Sequence, residues 1–263
     1  MPEVYHAIGL NMHQPLGNLI ALHNSPERWE ARQILWCYDR PTRMLEGYED
    51  VARLHLDFSG TLLKQLEDPG VREPFADVVS IADFLDRYRR SNIEFLGTGL
   101  YHPVYPLIPP SDWDTQTAWW LGLGRHLLGR DQFPGFWPPE MGFCMEMIPS
   151  LARHGYQYVI VDCWYIKPKR PMRWEELRYR QKKGWDEIRN ASAYYQQVKR
   201  AFDHRQLGGD GVEVRQLING AYDRILTAET SCNFFWGSCW VHRSFDELEQ
   251  AYHLLDTAMA KLK

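Results

Sequence analysis

Short apolar runs recur along the chain, and each ends in polar residues. Residues 4–10 run toward His13, 54–58 toward Ser59, 93–96 toward His102, 133–137 toward Glu140 and 156–161 toward Asp162. Between them the period changes. Phe75, Val78, Val79, Ala82, Leu85 and Tyr88 fall at three- and four-residue steps, and Met145, Ile148, Leu151 and Ala152 do the same after Glu140, which predicts amphipathic helices. Strands alternating with helices predict an α/β protein with a parallel sheet. Because chemistry-bearing residues recur just past successive strands, a barrel is favoured, since that is the end at which barrels gather functional groups.

The alternation stops near Trp185. Residues 193–204 and 212–230 read as helices, and a further helix is expected to open on Ser244-Phe-Asp-Glu247, which has the form of a capping box. Its apolar stripe is Phe245, Leu248, Tyr252, Leu255, Met259 and Leu262. The expected organisation is a barrel portion over residues 1–180 and a C-terminal helical region over 181–263 packed on it. Five parallel strands cannot close a barrel without leaving edges exposed. At roughly 30 residues per strand–helix unit, the pattern predicts that about 60 residues are absent, with the junction expected within 178–185.

Composition narrows the function. A formal charge of −4 and a pI near 6.2 give no electrostatic reason to bind nucleic acid or acidic membranes. The 5 cysteines are odd in number and form no CxxC pair, so neither a disulfide framework nor a structural zinc site is expected, and a reducing cytoplasm fits. No stretch approaches ~20 uninterrupted apolar residues and no export signal opens the chain, so a soluble, non-exported protein is expected. Aromatic residues make up 14% of the chain, many beside Pro, Gly and His. Such side chains serve either as core volume or as platforms on which sugar rings stack.

Three segments carry the chemistry. Asn11-Met-His-Gln-Pro15 places an imidazole and an amide after the first strand, and Gly97-Thr-Gly-Leu-Tyr-His-Pro-Val-Tyr-Pro-Leu107 places His102 after the third. Gly135-Phe-Trp-Pro-Pro-Glu-Met-Gly-Phe143 sets Glu140 in a rigid aromatic loop able to hold a carboxylate against a substrate. A helix-capping role for that residue is the alternative. In order and spacing these segments resemble the first three motifs of glycoside hydrolase family 57, whose members act on α-1,4 and α-1,6 glucans. Leu226-Thr-Ala-Glu-Thr-Ser-Cys-Asn-Phe-Phe-Trp-Gly237 is similar to the family's last motif.

The resemblance implies an incomplete (β/α)7 barrel, a retaining mechanism with Glu140 as nucleophile, and an α-glucan or maltooligosaccharide substrate, with no cofactor and no metal. It further implies that His13, Gln14, His102, Trp137, Phe143 and Trp236 surround the sugar, with Asp162 binding substrate or orienting a neighbour. The family's general acid, an Asp in a fourth motif, has no counterpart in the chain. Two competing readings follow. A glucan-binding homologue would keep the aromatic mouth without turnover. A metal-dependent polysaccharide deacetylase would use His13, His102 and Asp162, but the closely spaced His pair of those enzymes is missing. Maltooligosaccharide titration with and without a chelator separates the three.

Overall fold

The computed structural model describes residues 7–162, 179–205, 211–235 and 239–262. Its strands lie at the five places where the apolar runs put them: β1 (Ile8–Met12), β2 (Leu54–Phe58), β3 (Glu94–Leu96), β4 (Gly135–Phe136) and β5 (Tyr158–Val159). These five strands pair in parallel. β1 pairs β2 with Asn11 opposite Asp57, β2 pairs β3 with Asp57 opposite Leu96, and β4 pairs β5. Gly97, just past β3, bridges Phe136, with Gly97 N donating to Gly135 O at 2.8 Å and Trp137 N to Gly97 O at 2.8 Å. The strands therefore succeed one another in chain order. Among the described residues no strand reverses that order as it would at the switch point of a doubly wound sheet.

Two compact units interleave along the chain: Met1–Leu100 with Thr115–Pro138 and Ile148–Ile160, and Tyr101–Asp114 with Pro139–Met147 and Val161–Lys263. The first holds the strands with helices α1 (Asn18–His23), α2 (Arg28–Met44), α3 (Gly60–Glu67), α4 (Pro69–Arg72), α5 (Ile81–Arg90), most of α6 (Pro110–Leu128) and α7 (Ile148–Arg153). Local sequence decides where these helices begin. The Ser59 hydroxyl accepts from Leu62 N, Asp68 from Gly70 N and Ser80 from Asp83 N, each satisfying an amide the helix itself leaves unpaired. The Ser80 cap also corrects the long stripe expected from Phe75. The helix starts only at Ile81, and Phe75 and Val79 reach the core from the turns before it.

At the centre of this unit Phe58 meets Tyr88 edge-on at 5.1 Å and Phe84 at 6.1 Å, with Phe95 tilted at 6.2 Å. Trp120 ties α6 to the same point, its indole N–H donating to Phe58 O at 2.7 Å. Gly60 has no room for a side chain, because a Cβ there would collide with the Leu100 backbone. The stripe expected after Glu140 is out of phase. A 3-10 turn over Met145–Met147 advances the chain faster than an α-helix, so Met145 and Ile148 are exposed while Met147 and Leu151 are buried.

The second unit is built on α8 (Tyr179–Asp203), α9 (Gly211–Ala228), the short α10 (Cys232–Phe235) and α11 (Val241–Leu262). Trp185 stacks on Phe234 at 4.0 Å, and Tyr195 on Tyr222 at 4.1 Å with the rings 3° from parallel. Helix α11 begins one turn earlier than the capping-box reading placed it. Ser244 is buried inside the helix and its hydroxyl donates to Ala228 O at 3.0 Å, so tertiary packing claims the side chain a cap would use. The buried stripe runs Val241, Ser244, Leu248, Ala251, Leu255, Ala258, Leu262, a strict three–four alternation. Phe245, Tyr252 and Met259 flank it half-buried. Among the described residues no helix is long and apolar enough to cross a membrane.

Candidate functional site

Along β2 the side chains alternate between faces. Phe58 enters the aromatic core, so Asp57 points to the opposite face, beside Asn11 in the register. Asp57 is fully buried, and neither carboxyl oxygen has a hydrogen-bond partner from another side chain. Burial drives its pKa well above the usual carboxylate range, so the group is held neutral. Unfolding then releases a proton wherever the pH lies between the unfolded value and the raised folded one, and the group's contribution falls as pH rises through that window. Asp57→Asn is therefore expected to gain on wild type by about 1.4 kcal/mol per pH unit above ~4 until the folded value is passed. Urea midpoints across that range check it; a gap that stays constant with pH would refute it.

The loop after β1 is braced from several sides. The Gln14 amide donates to Tyr38 Oη at 2.9 Å and accepts from Asn18 Nδ2 at 2.8 Å, and Tyr38 donates to His13 O at 2.8 Å. Both ends of Gln14 thus fix the loop's shape. The buried Gln65 donates to Pro15 O at 2.9 Å and accepts from Leu19 N at 3.1 Å. His13 Nδ1 lies 3.5 Å from Thr61 Oγ1, which is 3.0 Å from Ser59 Oγ. Packed in protein though part of its surface stays accessible, the His13 imidazole is pushed down to about 4 and is neutral at neutral pH. Trp137 is half-buried and its ring edge occupies the space beside Gly9, where a Cβ would come within 2.9 Å.

In the second unit three non-glycine residues take left-handed backbone: His102 (φ 55°), Glu140 (φ 54°) and Met141 (φ 56°). Such conformations cost on the order of 1–2 kcal/mol and persist where surrounding contacts impose them. Here the contact is Ser231. Its amide donates to His102 O at 2.9 Å, and Thr230 bridges Pro103 in antiparallel fashion. Its hydroxyl donates to Glu140 Oε1 at 3.0 Å and stands 2.9 Å from His102 Nδ1. A hydroxyl has one proton, so with Ser231 donating it toward Glu140 Oε1, Ser231 accepts from His102 Nδ1–H, and the imidazole tautomer is assigned by the chain of bonds. Glu140 itself is exposed, at the head of this relay.

Because Glu140 is strained, replacing it should reveal the strain. Glu140→Gly is expected to be more stable than Glu140→Ala by about 1 kcal/mol, since only glycine adopts this backbone freely. Thermal melts of the pair decide it; equal stability would mean that the backbone relaxes on losing the Ser231 bond. Neighbouring thiols are unsuited to nucleophilic attack. Burial pushes both Cys144 and Cys232 up to about 11, leaving the thiolate scarce at neutral pH.

The second unit thus brings together His102 and Glu140 and adds Ser231, which composition and spacing had not singled out; its only signal was its place inside the fourth quoted segment. Phe143 and Asp162 are half-buried in the same unit. Asp57 was hidden inside an apolar run. Trp236 lies outside the described residues. Among the described residues no group of three or more His, Cys, Asp or Glu converges as a metal site.

The family model described as "Glycosyl hydrolase family 57" matches residues 7–183. A 4-alpha-glucanotransferase of Thermococcus litoralis is 29% identical over 174 residues, covering 63% of this chain and 23% of that protein. An alpha-amylase of Pyrococcus abyssi is 27% identical over 167 residues, again 63% and 23%. The crystal structure of the 4-alpha-glucanotransferase from Thermococcus litoralis aligns at TM-score 0.46 with 27% identity, covering 65% of this chain and 24% of that one. The chain spans about a quarter of the length of the curated relatives it matches.

Proposed function

Starting from the premise that this chain belongs to glycosyl hydrolase family 57, we propose that it acts on α-glucans by a retaining mechanism in which Glu140 is the nucleophile. The observation that carries this reading is the relay His102–Ser231–Glu140, which pins an exposed carboxyl group in strained backbone through Oε1. Strain of this kind gathers where a side chain must be aimed. With Oε1 held by Ser231, Oε2 attacks the anomeric carbon, the bond from that carbon to the leaving oxygen breaks, and the leaving oxygen takes a proton from a general acid. Water or a sugar hydroxyl then attacks the same carbon from the opposite face and frees Glu140, losing its own proton. From the family resemblance His13, Gln14, His102, Trp137, Phe143, Asp162 and Trp236 are read as substrate-binding residues, with Asp162 alternatively orienting a neighbour, and the five strands in chain order as the start of a (β/α)7 barrel. Names of the relatives as glucanotransferase and amylase support the substrate class.

An activated α-glucosyl fluoride tests this, because fluoride departs without a proton and the first step then needs only the nucleophile. The expected result is a covalent glucosyl adduct mapped by mass spectrometry to the peptide containing Glu140. No adduct, or an adduct on another residue, would overturn the assignment. Maltooligosaccharides, which need the acid, separate the active enzyme from the catalytically impaired homologue: absent general acid catalysis typically lowers the rate 10²–10⁴-fold, so an adduct without comparable turnover identifies the latter.

A further inference from the structure

In the second unit a cavity of about 350 Å³ opens between the proline-rich loop after His102 and helix α8, a volume within the ~300–1,000 Å³ of small-molecule sites. One wall is apolar, formed by Pro106, Ile108 and Pro109 together with Trp113. The Trp113 indole N–H donates to Tyr105 O at 2.8 Å, so the ring has no polar atom left to offer a ligand. The other wall is α8, where Arg189, Ser192, Ala193 and Gln196 fall at steps of three, one and three residues and so share one helical face. Ser111 lines the cavity as well. Both serines donate to the fully buried Asp112, Ser192 Oγ to Oδ2 at 3.0 Å and Ser111 Oγ to Oδ1 at 3.3 Å, and Tyr222 Oη also donates to Oδ1, at 2.9 Å.

A hydroxyl carries one proton and two lone pairs. With the proton of each directed at Asp112, Ser111 and Ser192 present only acceptors to the cavity, so a ligand must donate to them. The Arg189 guanidinium, 3.8 Å from the Asp186 carboxylate, and the Gln196 amide supply donors in turn. An anion would suit Arg189 but would set its lone pairs against those of the serines, and a cation would be repelled by Arg189. Alcohol groups donate and accept at once, and the C–H face of a sugar ring covers apolar surface such as that of Trp113 and the prolines. We propose that this cavity is a second carbohydrate site, holding one glucosyl unit of an α-glucan between the apolar loop and the polar face of α8. None of His102, Glu140 and Ser231 lines it. The chemistry of the walls asks for a pyranose; the choice of an α-glucan rests on the substrate class proposed above. A second point of attachment on one polymer raises the effective concentration of that polymer at the first.

The test is calorimetric titration with maltotriose, carried out in the full chain bearing Glu140→Gln so that the sugar is not turned over. It is expected to show a site that Ala193→Leu removes. Ala193 is exposed on the cavity wall, so the larger side chain takes up cavity space without displacing a buried one. Arg189→Ala combined with Gln196→Ala takes away donors and leaves the space, and should raise the dissociation constant of that site by about tenfold. With Glu140 restored, both variants should label with the α-glucosyl fluoride within about twofold of the wild-type rate. Maltotriose binding that neither variant changes would overturn the proposal. Labelling that falls in step with binding would also overturn it, because the two would then belong to one site. Loss of a cellotriose site, with no maltotriose site to lose, would overturn the α-glucan and leave the pyranose. Should the wild type take no label, the nucleophile reading falls, while the maltotriose titrations still decide the cavity.

Discussion

Glu140→Gln is expected to abolish covalent labelling by the activated glucosyl fluoride, lowering the rate by about 10⁴-fold or more. The substitution is chosen because it changes chemistry and little else. Glutamine keeps the size of the side chain and an oxygen able to accept from the Ser231 hydroxyl, so the relay to His102 and the left-handed backbone at position 140 have no cause to alter. What disappears is a carboxylate oxygen able to form the ester bond to the anomeric carbon. The variant should therefore match wild type in its urea midpoint while taking no label over times at which wild type is fully modified. Labelling at the wild-type rate would show that another group is the nucleophile, and the nearby thiols, both pushed up to about 11 by burial, are poor substitutes.

Phe58→Ala is expected to produce the largest loss of stability, about 3–5 kcal/mol. Phe58 is fully buried, its ring meets Tyr88, Phe84 and Phe95, and its carbonyl receives the Trp120 indole. Removing the ring takes away apolar burial and leaves a cavity walled by three other aromatic rings from α5 and β3, whose rigid faces cannot collapse into it. Urea unfolding followed by fluorescence measures the change. A loss below about 1 kcal/mol would mean that this cluster repacks freely and is not the keystone of the first unit. Tyr88→Phe, by contrast, keeps the ring and removes the hydroxyl, with its bond to Tyr38 O at 2.7 Å and its weaker contact to Met12 Sδ at 3.8 Å, for which about 1 kcal/mol is the usual loss.

What could be read without coordinates was whatever is local. The five strands fall at the five apolar runs, because alternation and chain punctuation act over a few residues. Caps such as Ser59 and Asp68, which were not assigned from the sequence, are also local, lying beside the helices they start. The family-like segments around His13, His102 and Glu140 were recognisable because each is a compact word. Errors arose where packing overrode local preference: Ser244 has the form of a cap, yet Ala228 takes its hydroxyl, and Phe75 shares the helix period without sharing the helix.

The convergence of Ser231 on Glu140 and His102 joins segments separated by 91 and 129 residues, and that of Asp112 on Tyr222 and Ser192 joins segments separated by 110 and 80. No periodicity records such pairings, since a serine or aspartate in a helical stretch reads the same whether it faces solvent or a buried polar partner. Burial makes the difference: inside the fold each polar atom must find a partner, and which partner it finds is decided by how distant segments pack. The places of the strands and the identity of the chemistry-bearing words thus belong to the sequence alone, whereas the bridge that Ser231 makes between His102 and Glu140 exists only once the chain has folded.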